Sequence, residues 1–219
     1  VTPKVLITGT GRAGTTLLVQ VLTDLGLDTG FAPDAPIDER ARAGLESAVV
    51  DPAGPRIVKS PGVVRRLGTL LDTGQAEIEH VIIPMRDLDV AAASRVRLTH
   101  YGADLRTFGG LVGTRRATQQ REALAVMQYE LMFTIARHDL PCTFLVFPRF
   151  TTDWEYTADK LGFLAPDLPA TRWRDALASR VRPELIHEAP LTRREHAMTA
   201  LGTSYNQLVV RPARAAGKP

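Results

Sequence analysis

The stretch Lys4–Leu25, KVLITGTGRAGTTLLVQVLTDL, carries the information that decides the fold. Val5–Ile7 is short, apolar and rich in β-branched side chains, which reads as a buried strand. Leu17, Leu18, Val21, Leu22 and Leu25 recur at helical spacing from about Thr15 onward. Between them lies Gly9-Thr10-Gly11-Arg12-Ala13-Gly14, whose glycines let backbone N–H groups turn inward around a small anion. The helix that follows adds its unpaired first-turn N–H groups and the positive end of its dipole. Strand, glycine-rich loop and helix together make a seat for a phosphate.

Outward from this unit, short apolar runs at Arg56–Val58, Val81–Ile83 (ending at Pro84) and Thr143–Phe147 alternate with helical patterns at Val63–Leu71, Asp89–His100 and Arg115–His138. The longest pattern carries an apolar stripe of Leu124, Met127, Leu131 and Ile135, which is core. Strands alternating with helices at this spacing predict a parallel sheet with crossovers, an α/β fold of the three-layer, doubly wound kind. Ligands of such sheets bind at the carboxyl ends of the strands. Gly9–Thr16, Lys59-Ser60 and Arg86-Asp87 all fall at strand ends, so three polar clusters are expected on one rim.

Gly26–Gly54 reads as a surface excursion with a short helix at Ile37–Ala48. Tyr101–Thr114 is either a mobile loop over the site or an ordinary connection between helices. Phe147–Leu164 closes with a helix near Gly162, further helices are expected at Arg172–Arg182 and Arg193–Leu208, and Arg211–Pro219 is a frayed tail. No repeat or linker divides the chain, so residues 1–219 are read as one domain.

With 219 residues, 44% of them hydrophobic and 23% charged, the composition is that of an ordinary globular chain with one sizeable core. The net charge of +3 suits an anionic small molecule. Its basic residues are scattered rather than interleaved with aromatics, so nucleic acid is not indicated. Cys142 alone excludes an internal disulfide, and no Cys/His cluster has metal-ligand spacing. No apolar run approaches the roughly 18 residues of a membrane span and no signal-peptide pattern is seen, so a cytoplasmic protein is expected. The sequence leaves the oligomeric state open.

Gly9 and Gly14 match the first part of a Walker A loop, but Thr15-Thr16 stands where that motif has Lys-Ser/Thr. A cation is supplied instead by Arg12. This arrangement, GRAGTTLL after a strand, resembles the 5′-phosphosulfate loop of the sulfotransferase superfamily. The resemblance implies a P-loop NTPase-like fold, 3′-phosphoadenosine 5′-phosphosulfate (PAPS) as donor, its bisphosphate product PAP, and no metal. It places Gly11, Arg12, Ala13, Gly14, Thr15 and Thr16 on the 5′ end of the donor, with Arg12 stabilising the departing phosphate.

The segment VIIPMRDLDVAAASR is similar to the 3′-phosphate motif of the same superfamily, in which an arginine closing a strand is followed eight residues later by a serine. Here those are Arg86 and Ser94. From the residues alone, Arg86-Asp87 also reads as a local ion pair capping a helix, and the run ending in Asp87 imitates a Walker B strand. FLVFPRFTTDWEYTADKLGFL is similar to the family's strand-loop-helix with a closing Leu-Gly, so the resemblance spans roughly residues 4–164.

An acceptor hydroxyl needs a base. The family's Lys-Thr-His corresponds to Lys59-Ser60-Pro61, so Lys59 remains for the donor while the histidine is missing. Family branches that take an acidic residue from the segment after the first helix make Asp34, Asp38 and Glu39 candidates, each also readable as a solvated or capping carboxylate. His100 is a further candidate, although a histidine at a helix C-terminus is also explained by the dipole. The family's C-terminal Arg-Lys-Gly run has no counterpart. The expected activity is sulfuryl transfer from PAPS to a hydroxyl or amine of a small-molecule acceptor. The alternatives are a P-loop kinase or nucleotide hydrolase, and a non-catalytic nucleotide-binding protein on the same scaffold.

Overall fold

The computed structural model describes residues 2–39, 43–99 and 109–186. His100, most of the 101–114 connection, the expected helix at 193–208 and the tail lie outside the described residues. Four strands, β1 (Lys4–Ile7), β2 (Ile57–Lys59), β3 (Ile78–Met85) and β4 (Cys142–Val146), form one sheet in the order β2-β1-β3-β4. Every pairing is parallel. The helices are α1 (Thr15–Asp24), α2 (Val64–Asp72), α3 (Leu88–Thr99), α4 (Gln120–Arg137), α5 (Arg149–Thr152), α6 (Trp154–Leu161) and α7 (Ala170–Arg180).

Alternation along the strands sorts the core into two layers. Val5, Ile7 and Ile82 pack on one face with Leu18 and Leu22 of α1 and Trp173 of α7. Leu6, Val81 and Ile83 pack on the other with Leu67 of α2, Ala91 of α3 and Leu131 of α4. Both faces of the sheet are covered at β1, which is why Val5, Leu6 and Ile7 are apolar and fully buried. Each of its aliphatic side chains contributes about 1.5–3 kcal/mol by leaving water. The arrangement is α/β and compatible with a doubly wound fold. Among the described residues no helix is long and apolar enough to cross a membrane.

Three expectations are corrected. β3 runs through Pro84 to Met85 instead of ending at the proline. Ile82 accepts from Thr8 of the β1 side, whereas Val81 and Met85 bond to the β4 side. By that alternation Pro84 faces the β1 side, beyond the last paired residues Ile7 and Ile82, so its missing N–H breaks no ladder bond. The long helix begins at Gln120 and not at Arg115. The fully buried Gln120 amide accepts from Val112 N–H and donates to the carbonyls of Val112 and Thr114, which holds the preceding backbone in a non-helical path.

No helix forms over the described part of Ile37–Ala48. Asp38 and Ala43 pair as an antiparallel bridge, and Gly44 and Leu45 follow at φ 127° and 54°. Ser47 N–H then donates to Lys59 C=O, tying the segment to the end of β2. Tertiary hydrogen bonds have replaced local helical ones.

Candidate functional site

The chain leaves β1 through α1 to β2 on one side and returns to β3 on the other. The carboxyl ends of β1 and β3 therefore flank the point where strand order reverses, the place such sheets bind ligands. The loop after β1 is held open by backbone conformation: Gly9, Gly11 and Gly14 have φ of 136°, 66° and 77°, and Arg12 shares the left-handed region at 57°. A Cβ on Gly11 would lie 2.6 Å from the Arg95 guanidinium, and one on Gly14 would lie 2.8 Å from the Phe150 ring. Helix α1 opens at Thr15 with Gly14 as its cap, a residue with no side chain to satisfy the first-turn N–H groups. Those groups sit on a cleft lined by Gly14, Thr15, Thr16 and Leu17, so the helix dipole and free donors face a space open to a ligand.

Four cations surround this loop. The Arg12 Nε donates to Ser94 Oγ at 3.0 Å, and Arg86 donates to the Arg12 carbonyl at 2.8 Å. The Arg86 guanidinium also rests 4.8 Å from the centre of the Phe147 ring, which steadies it from below. Lys59, 2% exposed, donates to Thr16 Oγ1 at 3.0 Å and to Gly44 C=O at 2.5 Å. Arg95, 4% exposed, donates to the carbonyls of Thr10 and Gly110, joining the loop to the chain beyond α3.

Burial, reinforced by the neighbouring Arg86, lowers Arg12 to about 10, and burial followed by Arg12 lowers Arg95 to about 10. Burial also lowers Lys59, with Glu46 opposing. Among the described residues the one acid lining the cleft is Glu46, whose Oε1 lies 3.5 Å from Lys59 Nζ. Burial raises its carboxyl above the usual range despite that cation. A cleft with such an excess of buried positive charge is stabilised by a ligand that brings several negative charges.

Of the residues singled out in the sequence, Gly11, Arg12, Gly14, Thr15, Thr16, Lys59 and Arg86 line this cleft, Ser94 reaches it through Arg12, and Ala13 is fully buried behind the loop. Ser94 meets Arg12 directly, while Arg86 meets the backbone of the same residue. Asp34, Asp38 and Glu39 are exposed and do not line the cleft. The turn at Gly44-Leu45 carries Glu46 to that position instead. Sequence reasoning missed Glu46, Arg95 and Phe147. Glu46 lies in the very segment searched for an acid, and the signal that finds it is proximity to the left-handed turn rather than to α1. Asp87 is exposed and caps α3, accepting from Val90 N–H at 3.0 Å.

No protein-family model matches the chain, and comparison with curated proteins and with solved structures finds no match either.

Proposed function

We propose that this protein is a PAPS-dependent sulfotransferase of P-loop-like, three-layer architecture that modifies a small-molecule acceptor. The observation that carries the reading is the convergence of the glycine loop with Arg12, Lys59, Arg86 and Arg95 at the β1/β3 switch point, with the Glu46 carboxylate beside Lys59. The residues fit a donor with phosphates at both ends: a loop held at positive φ by Gly9, Gly11 and Gly14, the first turn of α1 behind it, and Arg12, Lys59 and Arg86 around them.

PAPS supplies the sulfuryl group, the acceptor O–S bond forming as the bridging S–O bond breaks and its electron pair leaves on the 5′-phosphate of PAP. Arg12 and Lys59 stabilise the charge that grows on that phosphate, in the manner of the clamps of phosphoryl transfer. Thr15, Thr16 and the loop amides orient it. Glu46 takes the acceptor proton, and its raised proton affinity suits it to a hydroxyl better than an ordinary surface carboxylate would be. Arg86 and Ser94 grip the 3′-phosphate, and Arg86 at the same time supports the Arg12 backbone.

A Mg²⁺-ATP enzyme is disfavoured by Thr15 in place of the Walker lysine and by the use of Asp87 as a helix cap. Calorimetric titration with PAP, and with ATP with and without Mg²⁺, tests the reading. PAP is expected to bind without metal, and Arg86→Ala to weaken it by about 10- to 100-fold, the worth of a charge-assisted contact of about 1.5–3 kcal/mol. Preference for ATP·Mg²⁺, or no binding of any of them, refutes the proposal.

A further inference from the structure

The cleft also has an apolar lining, from Leu17 of α1, Ile37 of the excursion, and Val181 and Ile186 beyond the end of α7. Gln20, one turn along α1 from Thr16, supplies a neutral amide. Arg182 also lines the cleft; it is exposed and donates only weakly to the carbonyls of Ser179 and Val181, at 3.3 and 3.2 Å. Its neighbour Arg180 is different. That guanidinium is locked to Asp24, with Nε–Oδ2 at 2.5 Å, and to Pro33 C=O at 2.8 Å, so it fixes the wall in place and its charge is neutralised. Among the described residues no carboxylate pairs with Arg182.

We propose that this half of the cleft binds the acceptor, and that the acceptor is a hydroxyl compound with an apolar body and an anionic group at the end remote from the hydroxyl. The inference rests on the sulfotransferase reading and deepens it. The hydroxyl reaches Glu46, the apolar body lies between the α1 wall and the α7 wall, and the anion meets Arg182. The amine class is disfavoured at the same place: Arg182 carries the charge an ammonium group would meet there, and Glu46 is the one acid among the described residues that line the cleft.

The test uses three phenols on one skeleton: 3-(4-hydroxyphenyl)propanoate, its amide, and tyramine. Each is assayed for PAPS-dependent turnover, and PAP affinity is measured in parallel. The carboxylate is expected to have a kcat/KM about fivefold above the amide, expressed in KM, which is the upper end for an ion pair at a solvent-exposed rim. Tyramine is expected to be the poorest. Arg182→Gln brings the carboxylate-to-amide ratio to near one, Arg182→Lys retains most of it, and Arg182→Glu turns the order in favour of tyramine. PAP affinity reports that each variant is folded. If PAP binds but the three phenols rank equally, or tyramine leads, or Arg182→Gln leaves the ratio intact, the acceptor inference is wrong while the donor assignment stands. If PAP does not bind the unaltered protein, the sulfotransferase reading fails and this inference fails with it.

Discussion

Gly14 and Gly26 bracket α1 with nearly the same backbone, at φ of 77° and 80°, yet they face different surroundings. A Cβ on Gly26 meets nothing within 4 Å, whereas a Cβ on Gly14 meets Phe150 at 2.8 Å and Phe147 at 3.0 Å. Phe150 is fully buried in the core beneath the loop, so it cannot swing away. Substituting alanine at either site imposes a left-handed alanine, a cost of about 1–2 kcal/mol. Reduced freedom of the unfolded chain offsets about 0.4–1 kcal/mol of this. Gly26→Ala should therefore destabilise by about 1 kcal/mol. Gly14→Ala adds an overpacking penalty of about 1–3 kcal/mol, for a total of about 2–4 kcal/mol. Urea unfolding at constant m-value separates the two, with Gly14→Ala the lower in midpoint and melting several degrees earlier. Equal midpoints would mean that the aromatic floor yields to a methyl group, and the argument that the loop is shaped by Phe147 and Phe150 would be wrong.

Arg95→Met strands the Thr10 and Gly110 carbonyls that the guanidinium joins, at a cost of about 2–4 kcal/mol for two buried acceptors. Arg95→Lys should rescue stability only partly, because an ammonium lacks the planar fork; chemical denaturation of both variants checks this. With Glu46 raised by burial, its ionised, base-competent form is lost as pH falls through a midpoint above the ordinary 4.5, so turnover should show an acid limb there. Glu46→Gln should remove the limb and lower kcat by about 10²- to 10⁴-fold. Lys59→Met withdraws the cation that opposes the rise, so a pH–rate profile should show the same limb at higher pH.

The strands and the first strand-loop-helix unit were legible because apolar period and glycine placement act over a few residues. The apolar runs Val5–Ile7 and Val81–Ile83 are buried between the helical layers, and α1 follows from its leucine spacing. The Ile37–Ala48 segment was not legible in this way. Its residues are compatible with a helix, but Lys59 draws the Gly44 carbonyl and the end of β2 draws Ser47. Both partners are remote in sequence, and no local preference reports them.

The site divides along the same line. Gly11 to Thr16 are recognisable because the loop's chemistry is contiguous, and Arg86 because a cation ends an apolar strand. Arg95 directly follows Ser94 and reads as a surface cation only while α3 is taken to have a wet face. The run Val90–Val96, VAAASRV, offers no such face, and every one of its residues is buried. An arginine inside such a run has nowhere to reach water, so it must find carbonyls. The glycine loop, held at positive φ with the Thr10 carbonyl turned toward α3, supplies one of them. Ser94 and Arg95 of α3 both reach the loop that follows β1, so the buried arginine braces it, and the alanine run was the readable sign of that burial.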